Sequence, residues 1–73
     1  MANHKVPYLT DVQERILSCI RTAIVEDGEA PTVAEICAEV GMAAGSVHYQ
    51  LGELEAKAAI VREPRQARGI RLL

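Results

Sequence analysis

Neither phenylalanine nor tryptophan occurs in this chain, and Tyr8 and Tyr49 are its only large aromatic residues. A core built without them must be aliphatic. Cysteine is sparse as well. Cys19 and Cys37 both fall on apolar helix faces, the setting of free thiols rather than of a disulfide, and with His4 and His48 they match no zinc spacing. No apolar run approaches the length of a membrane span, and the N-terminus lacks the apolar block of a signal peptide, so a cytoplasmic protein with no membrane partner is expected. Catalytic signatures are missing too. There is no glycine-rich phosphate loop and no nucleophile with a base placed by a recognisable motif, and residues two apart on a helix, such as Ser46 and His48, do not face each other. Enzymatic chemistry is therefore not expected, nor is a cofactor.

What is present is an ordinary folding composition. The 73 residues are 49% hydrophobic and 25% charged, enough for one domain and too few for a deep active-site cavity. The net charge of −2 is unevenly placed. Residues 1–56 carry three basic and nine acidic side chains, whereas residues 57–73 carry Lys57, Arg62, Arg65, Arg68 and Arg71 against Glu63 alone. A basic end of this kind can meet phosphate, with less non-specific affinity than a uniformly basic domain has.

In chain order, residues 1–8 have no periodicity and contain Pro7, which reads as a flexible N-terminal arm in which Lys5 could reach a phosphate. Residues 9–73 form the folded domain. Thr10-x-x-Gln13 is a capping box that opens a helix from about Asp11 to Asp27, with Val12, Ile16, Cys19, Ile20, Ala23 and Ile24 as its buried stripe. Arg15 and Arg21 are expected to be solvated. Gly28 stops this helix, and Glu29-Ala30-Pro31 makes a short connection.

The organising stretch is Thr32 to Leu54, two short amphipathic helices joined at Gly41. Thr32-x-x-Glu35 is a second capping box. Val33, Ile36, Cys37 and Val40 recur at helical spacing, as do Val47, Leu51 and Leu54 in the second helix. Cys37, Gly41 and Val47 stand where a helix-turn-helix places a small residue, a glycine and an aliphatic, a geometry that presents the second helix to a DNA major groove. Ile60-Val61-Arg62 and Gly69-Ile70-Arg71-Leu72 then read as two strands around a Pro64-containing loop, a hairpin wing that leans on the helices through Ile60, Ile70 and Leu72. The fold class is mostly α with a small β-hairpin, a three-helix winged helix-turn-helix.

From Leu9 onward, LTDVQERILSCI, PTVAEICAEVG, SVHYQLGELEAK and RGIRLL together resemble the N-terminal DNA-binding domain of LexA repressors. The resemblance implies sequence-specific binding to double-stranded operator DNA as a transcriptional repressor. Three departures stand out. The segment between Gly41 and Val47 is one residue shorter than in that family and offers Ala43, Ala44 and Gly45 in place of polar residues. Ala58 stands where the family usually has glycine, so a left-handed backbone there would cost about 1 kcal/mol or somewhat more. The sequence also stops where the family's linker and self-cleaving peptidase domain would begin, so neither self-cleavage nor pairing through that domain is implied.

With Val47, Leu51 and Leu54 turned inward, Ala44, Gly45, Ser46, His48, Tyr49 and Gly52 face outward. Ala44 and Gly45 allow close backbone approach, and the helix N-terminus offers N–H groups to phosphate. Ser46 can contact a base or a phosphate. His48 can donate to guanine or phosphate, or remain an exposed imidazole. Tyr49 can pack on a thymine methyl group or hydrogen-bond a phosphate, or instead cover the core. Gln50 lies nearer the core boundary, where a bidentate adenine contact is chemically available. At the wing tip Arg65 and Arg68, with Gln66 between them, suit phosphate or the minor groove, while Arg62 and Arg71 on the strands can point either way. Lys57 complements the dipole of the reading helix. A second copy on a repeated site would add specificity. The alternative is a winged-helix protein-interaction module that does not bind DNA directly, marked by an acidic reading face or an exposed apolar patch.

Overall fold

Two of the three helices begin by the same device. In the computed structural model, which describes residues 8–73, the Thr10 hydroxyl accepts from the N–H of Gln13 at 3.2 Å, and the Gln13 side chain accepts from the Thr10 N–H at 3.1 Å. Thr32 and Glu35 repeat the exchange at 3.1 and 3.0 Å. These reciprocal bonds satisfy N–H groups that a helix start otherwise leaves open. Helix α1 accordingly spans Asp11–Asp27 and α2 spans Val33–Val40. Gly41 closes α2 at φ 72°, a left-handed conformation that costs glycine little, and its N–H bonds to the Cys37 carbonyl at 2.9 Å. Helix α3, Ala44–Ala56, follows at once.

The core is aliphatic throughout. Ile16, Ile20, Ile36, Val47, Leu51, Leu54 and Ile60 are almost completely buried, with Leu17, Ala30, Val40 and Ile70 beside them. Burying one large aliphatic side chain contributes about 1.5–3 kcal/mol, so the set outweighs any surface pairing in this small domain. Each helix and the first strand adds at least one member, so no element is free to shift alone. On α1, Ile16 and Ile20 lie in the expected stripe, but Leu17 and the polar Gln13 are buried with them. Cys19, Ala23 and Ile24 are only half-buried.

Strands β1, Ile60–Arg62, and β2, Ile70–Leu72, pair antiparallel with Ile60 opposite Leu72 and Arg62 opposite Ile70. Ile60 and Ile70 face the core, and Leu72 packs against its edge. Two backbone positions shape this hairpin. Ala58, just before β1, holds φ 62°, so the alanine adopts the left-handed turn that glycine takes more readily. At Gly69 the constraint is closeness. A Cβ there would stand 2.5 Å from the Glu63 carbonyl oxygen, which Gly69 faces across the narrowing loop.

The expected arm lies outside the described residues, Lys5 included, except at Tyr8. Tyr8 is tied down: its hydroxyl donates to the Lys57 carbonyl at 2.6 Å, and its own carbonyl accepts from Lys57 Nζ at 2.9 Å. Tyr8 is therefore part of the folded domain. None of the described helices is long and apolar enough to cross a membrane.

Candidate functional site

Helix α3 differs from its neighbours at its first turn. Its N-cap is Ala43, which makes no side-chain capping bond. The opening N–H groups of α3 receive no side-chain acceptor, whereas in α1 and α2 the Thr10 and Thr32 hydroxyls each take one of theirs. Ala44, Gly45, Ser46, His48 and Tyr49 are all exposed there, and Val47 between them is fully buried. Tyr49 is 65% exposed, which excludes the role of a cover over the core. No carboxylate occurs on α3 before Glu53.

The wing lies beside this helix. His48, Leu51 and Glu55 of α3 line one wall of an open groove, and Arg62, Pro64, Arg65 and Gln66 line the other. His48, Arg62, Arg65 and Gln66 could bear on a bound polyanion, but they are not equally available. Arg62 is paired with Glu55 at 3.1 Å, and Arg71, on the other strand, with Glu63 at 3.2 Å. No carboxylate among the described residues pairs with Arg65, which is exposed and projects from a left-handed backbone at φ 66°. Arg65 is the available cation of the groove.

Arg68 is placed otherwise than its position in the sequence suggests. It does not project free from the wing tip; its guanidinium reaches back to the start of α2. Nη1 and Nη2 donate to the two Glu35 oxygens at 2.8 and 2.9 Å, Nη1 also donates to the Ala30 carbonyl at 3.0 Å, and Glu29 lies 3.7 Å from Nε. The hydrogen bond from Arg68, followed by that from the Thr32 N–H, holds the Glu35 carboxyl down at about 2, well below its ordinary range. Arg68 thus anchors the wing to the α1–α2 connection.

Gln50 too is engaged within the protein. Its Oε1 accepts from Gln13 Nε2 at 3.0 Å, so its amide does not face outward with both edges open for the adenine contact considered above. Lys57 is committed to Gln13 Oε1 at 2.8 Å and to Tyr8, which goes beyond a dipole interaction. Arg15 is not merely solvated, because it donates to the Val40 carbonyl at 3.0 Å and so serves the C-terminal end of α2.

Acidity is gathered elsewhere. A separate groove between α1 and α2 is lined by Glu26, Asp27, Glu29, Glu35 and Glu39, with Arg15 and Arg68 among them. Cys19 also lies there. Burial, reinforced by Glu39 and Glu35, pushes its thiol up and keeps it protonated, which is not the setting of a reactive cysteine. The two grooves share no lining residue, and Glu55 and Glu63, paired with Arg62 and Arg71, are the carboxylates that line the α3 groove.

A family model described as the LexA DNA binding domain matches residues 7–69. The chain is 46% identical over 65 residues to a LexA repressor of Magnetococcus marinus, covering 89% of this chain and 28% of that protein. It is 42% identical to a LexA repressor of Clostridium acetobutylicum, over all of this chain and 35% of that protein. A LexA repressor of Xylella fastidiosa is 45% identical over 65 residues, 88% of this chain and 31% of the relative. The chain thus spans about a third of the length of the relatives it matches.

Proposed function

The chain belongs to the LexA DNA-binding-domain family, and from that premise we propose that it binds double-stranded DNA sequence-specifically as a transcriptional repressor, with α3 in the major groove and the wing on the adjoining backbone or minor groove. The observation that carries this reading is the contrast at the helix starts. Among the described helices only α3 lacks a side-chain cap, and it presents exposed small residues, a serine, an imidazole and a phenol there without a carboxylate.

Each group has a role consistent with its chemistry. The open N–H groups at Ala44, Gly45 and Ser46 suit a phosphate oxygen, and the small side chains let the backbone come close. His48 and Tyr49 extend towards base edges, where an imidazole N–H suits guanine and a tyrosine ring suits a thymine methyl group. Arg65, with Gln66 beside it, meets the backbone next to the groove. Arg62 contributes once phosphate competes with Glu55 for its guanidinium. A binding domain rather than a catalyst is what the family implies, and two copies on a repeated site would supply the specificity that one small reading surface lacks.

Selection from a random duplex pool, followed by salt titration of the enriched site, tests the reading. A defined sequence should be enriched, and affinity should fall steeply with salt. Enrichment of nothing, or affinity indifferent to salt, would favour the protein-interaction module instead.

A further inference from the structure

We propose that Gln50 acts on DNA as a hydrogen-bond donor only, with its polarity set from inside the protein by Lys57 through Gln13. The inference rests on the reading of α3 as the DNA-facing helix and adds which base edge one of its residues selects.

The logic starts at Lys57, whose ammonium can donate but not accept. It points at Gln13 Oε1 from 2.8 Å, and the Thr10 N–H donates to the same oxygen at 3.1 Å. Two donors therefore fix which end of the Gln13 amide is oxygen. Gln13 is only 4% exposed, so water does not offer it an alternative arrangement. Its Nε2 must then face Gln50, and it donates to Gln50 Oε1 at 3.0 Å.

The consequence reaches the surface. Gln50 is half-buried on the side of α3 towards α1, between exposed Ser46 and the chain of bonds below it. Its oxygen is turned to Gln13, and its Nε2 makes no hydrogen bond to any described residue. A bidentate adenine contact needs a donor and an acceptor presented together by one amide. Gln50 presents the donor alone. The matching major-groove edges carry acceptors and no donor, above all guanine, whose O6 and N7 can take both N–H groups where thymine offers O4 alone. Gln13 is thus a positioning residue that touches no DNA and still determines what Gln50 reads.

The test is base preference, a property that loss of packing alone would not redirect. In Gln13→Glu, one carboxylate oxygen still accepts from Thr10 and Lys57, but the other now faces Gln50. Gln50 must turn its Nε2 inward and its oxygen outward. In selections from a random duplex pool, the wild type should prefer guanine at one position by about fivefold, the worth of a single hydrogen bond. Gln13→Glu should move that preference to a base with a major-groove donor, cytosine or adenine, and leave the other positions as they were. Gln50→Glu on the helix surface, which makes the outward atom an acceptor directly, should shift the same position in the same sense even if the buried variant folds poorly.

Three results would overturn the inference while leaving DNA binding intact. These are a wild-type preference for adenine at the position that Gln50→Glu alters, a well-folded Gln13→Glu protein with wild-type preferences, and no change in either variant. A wild type that enriches no sequence at all would instead defeat the DNA reading, and this inference with it.

Discussion

Arg68 and Glu35, 33 residues apart in sequence, meet through two parallel N–H···O bonds of 2.8 and 2.9 Å. The same guanidinium also holds the Ala30 carbonyl at 3.0 Å, so one side chain fastens the base of the wing to the turn before α2. Fork-to-fork pairing fixes direction as well as distance, which a lysine at this position would not do. The wing is consequently set against the helices by an ion pair, with Ile60 and Ile70 buried beneath it.

Arg65 and Arg68 should therefore behave differently although only two residues separate them. Arg65→Ala is expected to weaken binding to all duplex sequences and to reduce the salt slope by about 1, the signature of one lost phosphate contact. Arg68→Ala is expected to lower the thermal midpoint and to leave the salt slope unchanged. Paired melting curves and salt titrations distinguish the two. Equal flattening of the salt dependence by both variants would show that Arg68 leaves Glu35 and joins the DNA contact.

Acid titration probes the same pair from the other side. The folded chain holds the Glu35 carboxyl at about 2 against an ordinary 4.5, chiefly through Arg68. A carboxyl group depressed by folding stabilises the native state fully above its unfolded value and loses that contribution as pH falls towards the folded one. Glu35→Gln should thus melt below the wild type at neutral pH, with the gap closing between about pH 4.5 and pH 2. Thermal melts across that range would show it. A gap that stayed constant with pH would mean that the ionised pair contributes nothing to stability.

Backbone strain before the wing gives a third expectation. Ala58 sits at φ 62°, and glycine occupies that region without a Cβ penalty. Ala58→Gly should stabilise the domain by about 1 kcal/mol, a rise in thermal midpoint of roughly 4–8 °C for a domain of this size. The reverse change at Gly69 should be harmful, since its new Cβ would meet the Glu63 carbonyl oxygen at 2.5 Å. Gly69→Ala is expected to cost about 1–3 kcal/mol, as forced overpacking does. Calorimetry of both variants checks the pair of signs.

The parts of this structure that could be read from sequence are the local ones. Thr10 with Gln13, and Thr32 with Glu35, are three residues apart, so their capping boxes announce two helix starts without knowledge of the fold. Gly41 and the alternation of Ile60, Ile70 and Leu72 mark the turn and the wing for the same reason. Burial of Gln13 and Leu17 was not legible, because it depends on α3 and the core closing over α1. The destinations of Arg15, Lys57 and Arg68 were hidden too. Their partners lie 25, 44 and 33 residues away, and nothing local distinguishes a long cation that anchors another element from one that stays in solvent. At the candidate site, the exposed residues of α3 followed from helical period alone. Which wing arginine remains available depended on carboxylates contributed by other elements.

The central claim is that DNA lies against the uncapped start of α3 and the Arg65 side of the wing. Backbone amide NMR shifts of the labelled chain, recorded as a selected duplex is added, locate the contact directly. The largest changes are expected at residues 44–50 and 62–66, with Glu26, Glu29 and Glu39 in the acidic groove little affected. Changes concentrated along that acidic groove, with α3 and the wing tip unmoved, would contradict the claim.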